Sequence, residues 1–335
     1  MTAPLTEAPA PAGDIDRLVS SVADRMAKVN DLIISHAGSD VAMIPEVADH
    51  LISSGGKRIR PMLLLATAEL FGYRGEGDVK LATAVEYMHT ATLLHDDVVD
   101  ESAMRRGRPA ARMIFGNQAS VLVGDFLLGQ AFKLMVDVGS LAALDVFSSA
   151  AATISEGEVR QLAGARDLSV GERHYMAVIE AKTAALFAAA TAAGPIIAGA
   201  DDHRAPLQSY GRHLGLAFQL IDDVLDFAGD AKTLGKNVGD DLREGKATLP
   251  VLLAYARGDG ADAPFWTRCI ERGEVSDDDV SRAARLVRET GALAECRKRA
   301  EDFSARAIAD LDGVPPSRMR DILVDVARFT VGRAL

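Results

Sequence analysis

From Ile15 onward, apolar residues recur three and four positions apart almost without a break, and no run of Val, Ile or aromatic residues alternates strictly with polar ones. That period lines one face of a helix, not one face of a strand. The sequence therefore predicts an all-α protein. Turn-forming clusters interrupt the pattern at residues 53–56, 72–77, 105–109, 139–140, 194–195, 229–245, 258–264 and 315–316. They leave roughly ten to thirteen helices.

None of these breaks has the composition of a linker, so residues 14–335 read as one domain, although single cores usually stop growing at about 250–300 residues. Residues 1–13 are rich in Ala and Pro, with no basic residue and no continuous apolar run. They are read as a disordered tail rather than a targeting segment. Residues 184–200 carry no charge, yet they are mostly Ala and are interrupted by Gly194 and Pro195. A buried core helix is expected there, not a membrane span. Two cysteines, Cys269 and Cys296, give neither a disulfide framework nor a CxxC metal spacing, which fits a reducing cytoplasm.

One pattern occurs twice. Asp96-Asp97-Val98-Val99-Asp100 returns as Asp222-Asp223-Val224-Leu225-Asp226, and each copy lies within an apolar helical segment. On a helix, Asp96 and Asp100 share a face. Two carboxylates about 6 Å apart repel by roughly 3 kcal/mol at an effective dielectric near 20, and a cation between them removes that cost. Mg2+ is commonly held by one or two carboxylates, with water and substrate phosphates completing its shell. An open pair of aspartates has that form. Gln219 lies three before Asp222 and shares its face.

The formal net charge is −11, which argues against a nucleic-acid partner and requires any phosphate binding to be local. Local cations are present. Gly55-Gly56-Lys57-Arg58-Ile59-Arg60-Pro61 joins a glycine pair to a helix start, Arg105-Arg106-Gly107-Arg108 follows the first motif, and Lys182-Thr183, Lys236 and Lys246 flank the second. His89 lies seven before Asp96 and projects to the same side, without the Cys or His partners that zinc needs. No P-loop, nucleophile elbow or dinucleotide fingerprint is present.

Taken together, the glycine-led basic segment, the stretch from His89 to Arg106, Lys182-Thr183, the stretch from Gln219 to Asp226 and Gly235-Lys236-Asn237-Val238-Gly239-Asp240-Asp241 resemble the trans-isoprenyl diphosphate synthases, or polyprenyl synthetases. The resemblance spans nearly the whole chain from Ile15. It implies a helical bundle around a central cavity, a homodimer, and condensation of isopentenyl diphosphate with an allylic diphosphate. It further implies that Asp96, Asp100 and Asp222 ligate Mg2+, with Asp226 completing the metal set and Asp97 and Asp223 in support. Arg105, Lys182, Thr183, Gln219, Lys236 and Lys246 would grip the allylic substrate. Gly56, Lys57, Arg60, His89 and Arg106 would hold isopentenyl diphosphate. Gln219 and carbonyl oxygens would face the allylic cation.

The segment from Val85 to His95 resembles long-chain members, so the expected product is octaprenyl to decaprenyl diphosphate, for quinone side chains. Ala91 and Thr92 stand one turn before the first motif, where small side chains would leave a tunnel open. Phe126, Phe132 and Met135 would form its floor. Transient membrane contact at product release is expected without insertion. The rival readings are a short-chain synthase, a terpene cyclase, and a noncatalytic subunit of a heteromeric synthase. A cyclase would not need Lys57, Arg60 and Arg106, and a noncatalytic subunit would lose motif residues that are whole here.

Overall fold

The computed structural model describes residues 15–53, 56–228, 239–258 and 260–333. Residues 1–13, Gly55 and Lys236, together with Gly235, Asn237 and Val238, lie outside the described residues. Apart from a two-residue hairpin, the chain is helical: α1 (Ile15–Ser21), α2 (Ala23–His36), α3 (Met43–Ile52), α4 (Ile59–Leu70), α5 (Gly77–Val99), α6 (Ala111–Phe115), α7 (Asn117–Val138), α8 (Leu141–Ala163) and α9 (Gly171–Ile179). There follow α10 (Ala185–Ile197), α11 (Arg204–Ala228), α12 (Asp240–Arg243), α13 (Leu249–Arg257), α14 (Ala263–Trp266), α15 (Asp277–Glu289), α16 (Ala292–Asp310) and α17 (Arg318–Gly332). The excess over the predicted number comes from pieces such as α6, α12 and α14, too short to carry a periodic apolar signal.

Two apolar cores organise the bundle. One gathers α1 to α8, α10 and the start of α11 around Leu63, Val85, Tyr87, Phe147 and Phe187. The other joins α9, the end of α11 and α13 to α16 around Ile221, Val224, Trp266 and both cysteines, which are free and buried. The middle helices approach closely. At Gly211 a Cβ would meet the Phe187 carbonyl oxygen at 2.5 Å, and at Gly194 it would meet the Ala68 nitrogen at 2.5 Å. Small residues at those crossings let α10 lie against both α11 and α4, which explains why residues 184–200 are so rich in Ala.

Among the described residues, two helical stretches are apolar and long enough to cross a membrane: Leu168–Ile197, whose most apolar window is 72% buried within the bundle, and Asn117–Val138, with 44% buried. The first is a core helix. It is not a uniform α-helix, because the turn Glu180–Ala184 between α9 and α10 is π-helical. Such a turn inserts one residue and rotates the side chains after it, a distortion common at functional sites. Lys182 and Thr183 sit on it.

After α5 the chain makes a hairpin, β1 (Met104–Arg105) against β2 (Arg108–Pro109), with Arg105 opposite Arg108. Arg106 and Gly107 occupy the turn at φ +51° and +74°. Two successive left-handed residues form the tight turn that suits strand twist. It carries Arg105 and Arg106 back toward the end of α5.

A candidate active site with an acidic and a basic pole

A cavity of about 1400 Å³ lies between α4, α5, α8, α9, α11 and the turns around the π segment and residues 244–248. Asp96 and Asp100 reach it from α5, and Asp222, Asp223 and Asp226 reach it from α11. Gly56, Lys57, Arg60, His89, Thr92, Arg105, Arg106, Lys182, Thr183, Gln219 and Lys246 also line it. Residues far apart in sequence are thus brought into one space.

Its basic pole is built by the start of α4 and the hairpin. At Gly56 a Cβ would stand 2.9 Å from Arg106 Nη1, so a larger residue would push that guanidinium aside. Arg58 takes a left-handed conformation, φ +45°, at the cap of α4. Its Nη1 and the Arg60 Nε are buried without a hydrogen-bond partner, which is costly unless an anion arrives. Arg60 lies over the Phe187 ring at 4.4 Å, Phe187 packs on Phe218 at 5.5 Å, and Arg333 lies over Phe218 at 4.3 Å. The aromatic pair is therefore flanked by two guanidinium groups that it helps to hold. Burial pulls Lys57 below its usual value, with Arg333 adding to the effect, and it pulls Arg60 down to about 10. His89 is held neutral, first by burial and then by Arg60, Arg106 and Arg105.

The acidic pole pairs carboxylates with lysines. Lys246 Nζ lies 2.8 Å from Asp100, Lys182 Nζ lies 3.7 Å from Asp96, and Arg333 Nη2 lies 3.2 Å from Asp222. Burial lowers Lys246, but Asp100, Glu244 and Asp241 outweigh that and keep it firmly protonated. Glu158 is pushed up to about 7 by burial and then by Asp96. The donors are carboxylate oxygens on an open wall, which suits a hard divalent cation. No three His, Cys, Asp or Glu side chains among the described residues are grouped so as to hold a metal ion by themselves. An ion here would take few protein oxygens and leave positions for phosphate.

Several expectations need correction. Asp97 does not line the cavity; it is fully buried, and its Oδ1 accepts from Arg105 Nε at 2.9 Å and Nη2 at 2.6 Å. One residue beyond Asp96, it is turned about 100° around the helix. It aims Arg105 rather than a metal. Asp223 is buried, with one oxygen accepting from the Tyr175 hydroxyl and the other from Gln219 Nε2. Gln219 in turn accepts from Thr183 Oγ1 at 2.8 Å, so its amide oxygen is engaged by a hydroxyl rather than left for a cation. Ala91 lies in the apolar core, 2% exposed, and is not part of the cavity wall, whereas Thr92 is. Phe126, Phe132 and Met135 belong to the same core, outside the cavity.

Other lining residues were not anticipated. Glu86 is buried among Arg58, Arg60 and Arg106, three positions before His89 on the same helical face, a spacing that marks it in hindsight. Glu158, Glu244, Tyr175 and Arg333 had no comparable signal. The π turn breaks the helical register between Tyr175 and Lys182, and Arg333 arrives from the far end of the chain.

Burial, and then Asp241, raises Asp223 to about 8. Between the ordinary carboxylate range and that value the folded protein keeps a proton that the unfolded chain has released, so stability falls as pH rises through the window. In thermal melts of metal-free protein Asp223 and Glu158 are expected to pull the midpoint down from about pH 5 to 8, against the opposite pull of neutral His89 in the acid half of that range. Asp223→Asn is expected to remove part of the downward pull, the rest coming from Glu158 and the other carboxyls that burial raises, Glu86 and Asp97. A variant curve as steep as the wild type would contradict this.

The polyprenyl synthetase family model matches residues 41–287. The octaprenyl diphosphate synthase of Escherichia coli K12 is 45% identical over 321 residues, covering 96% of this chain and 99% of that protein. A polyprenyl synthase from Caulobacter crescentus, solved in complex with calcium and isoprenyl diphosphate, superposes with a TM-score of 0.94 at 49% identity over 98% of this chain and 100% of that one. A decaprenyl diphosphate synthase structure from Rhodobacter capsulatus gives 0.91 at 48% identity over 96% and 100%. With fold, cavity and near full-length likeness in agreement, the chain belongs to the polyprenyl synthetase family.

Proposed function

We propose that the chain condenses isopentenyl diphosphate with an allylic diphosphate to make a long all-trans polyprenyl diphosphate, octaprenyl to decaprenyl, using Mg2+. The observation that carries this reading is the two-poled cavity. A metal-coated diphosphate suits the carboxylate pole, and a bare diphosphate suits the pole where buried guanidinium nitrogens lack partners. The synthase names of the relatives support the product range.

In this reading Asp96, Asp100, Asp222 and Asp226 hold the divalent ions. Bound there, such ions would supply positive charge to the departing diphosphate. Lys182, Lys246 and Arg105 add fixed charge at the same place, which favours ionisation of the allylic carbon–oxygen bond. Lys57, Arg58, Arg60 and Arg106 hold the second diphosphate, and neutral His89 donates or accepts a hydrogen bond without adding charge. Thr92, Leu93, Ile154, Phe187 and Phe218 give the hydrocarbon an apolar wall. The isopentenyl double bond attacks the allylic cation, and the proton lost leaves with the released diphosphate. Incubating pure enzyme with farnesyl diphosphate, radiolabelled isopentenyl diphosphate and Mg2+ is expected to yield labelled products of eight to ten isoprene units. Cyclised hydrocarbon, short products only, or inactivity until a second chain is added would each refute it.

The exposed apolar residues Leu122 and Val136 of α7, 66% and 62% accessible, sit on a helix of membrane-like composition. We propose a second copy of the chain as their cover, giving the homodimer. Light scattering is expected to return twice the 35.5 kDa chain mass; a monomer at micromolar concentration would refute the dimer.

A further inference from the structure

Each cavity-facing carboxylate of the first aspartate motif shares its lysine with a glutamate from outside the motif. Lys182 Nζ lies 2.7 Å from Glu158 Oε2 and 3.7 Å from Asp96 Oδ2. Lys246 Nζ lies 2.6 Å from Glu244 Oε2 and 2.8 Å from Asp100 Oδ2. The same arrangement is built twice from unrelated pieces, α8 in one case and the turn after α12 in the other.

Local backbone makes both arrangements possible. Beside Glu158, a Cβ on Gly157 would stand 2.6 Å from Ala181 Cβ and 3.2 Å from the Lys182 nitrogen, so the glycine lets α8 touch the π turn that carries Lys182. Between Glu244 and Lys246, Gly245 adopts φ +72°, which turns the chain so that two near neighbours converge. All six side chains are largely shielded, with 17% to 29% of their surface exposed, so their pairing is only weakly screened.

An ammonium seated on a carboxylate competes with a divalent ion for the same lone pairs. A second carboxylate shares the ammonium and weakens that competition. Here two ammoniums are shared among four carboxyl groups, so neither aspartate has a cation to itself. We infer that Glu158 and Glu244 are positioning residues that draw Lys182 partly off Asp96 and share Lys246 with Asp100. They keep those aspartates open to a metal ion and hold the ammoniums beside the diphosphate that arrives with it. This inference rests on the metal reading under Proposed function.

The test is substrate-free binding of Mn2+, followed by loss of the free-ion electron paramagnetic resonance signal, with Mg2+ as competitor. Glu158→Asp and Glu244→Asp keep the charge and withdraw its reach by one methylene. The double variant is expected to bind Mn2+ about tenfold more weakly than wild type, the range found when groups orienting metal ligands are altered, with each single variant in between. Glu101→Gln, which removes one carboxylate from the cavity rim without touching either lysine, is expected to stay within about twofold. Wild-type affinity in the double aspartate variant, or an equal loss in Glu101→Gln, overturns the inference. Asp96→Asn separates the two levels. If it leaves binding unchanged, the metal reading falls and the inference with it; if it abolishes binding while the aspartate variants do not weaken it, only the inference falls.

Discussion

Asn in place of Asp96 is expected to lower the rate of chain elongation about a hundred- to thousandfold, the usual cost of removing one group that stabilises transition-state charge. Asp96 faces the cavity, and Lys182 is its only ion-pair partner among the described residues, at 3.7 Å. The substitution keeps its shape and removes the charge that would hold a divalent ion. Single-turnover formation of the first elongation product measures the effect free of product release, and circular dichroism checks that α5 is intact. A loss of less than about tenfold would remove Asp96 from the proposed metal site. Asp97→Asn is expected to act differently, by loosening Arg105 and weakening allylic diphosphate binding, because its oxygen faces that guanidinium rather than the cavity.

The second large effect is on product length. Thr92 stands on the cavity wall one turn before Asp96, where its hydroxyl donates to the His89 carbonyl at 2.8 Å. Thr92→Phe places a ring in the path of the growing tail, and products are expected to shorten by several isoprene units while the first condensation continues. Reversed-phase separation of radiolabelled products reads this directly. An unchanged product distribution would contradict Thr92 as a wall of the elongation path. Ala91→Phe acts on the core behind that wall, so its first cost is stability, about 1–3 kcal/mol for overpacking.

Helical periodicity was enough to recover the all-α fold, because each long helix must bury one face and writes that need into its sequence. Short helices such as α12 bury too few residues to do so. At the site, the aspartate motifs were legible because paired carboxylates in apolar helices have no inexpensive structural explanation. What each aspartate binds was less legible. Asp97 and Asp223 look equivalent to their neighbours in a pentapeptide, and only packing shows that one anchors Arg105 while the other is tied to Tyr175 and Gln219. Glu158 and Arg333 were missed for another reason. Their roles depend on meetings between distant elements, at Lys182 and at Asp222, that no local spacing encodes.

In the proposed function the two aspartate faces hold divalent ions over one diphosphate. Anomalous diffraction from crystals containing Mn2+ and a non-ionisable thio analogue of an allylic diphosphate tests it most directly. Anomalous peaks are expected within bonding distance of oxygens of Asp96 and Asp100 at the end of α5 and of Asp222 on α11, with the diphosphate between them. Peaks confined to one motif, or a diphosphate bound without metal contact, would contradict it.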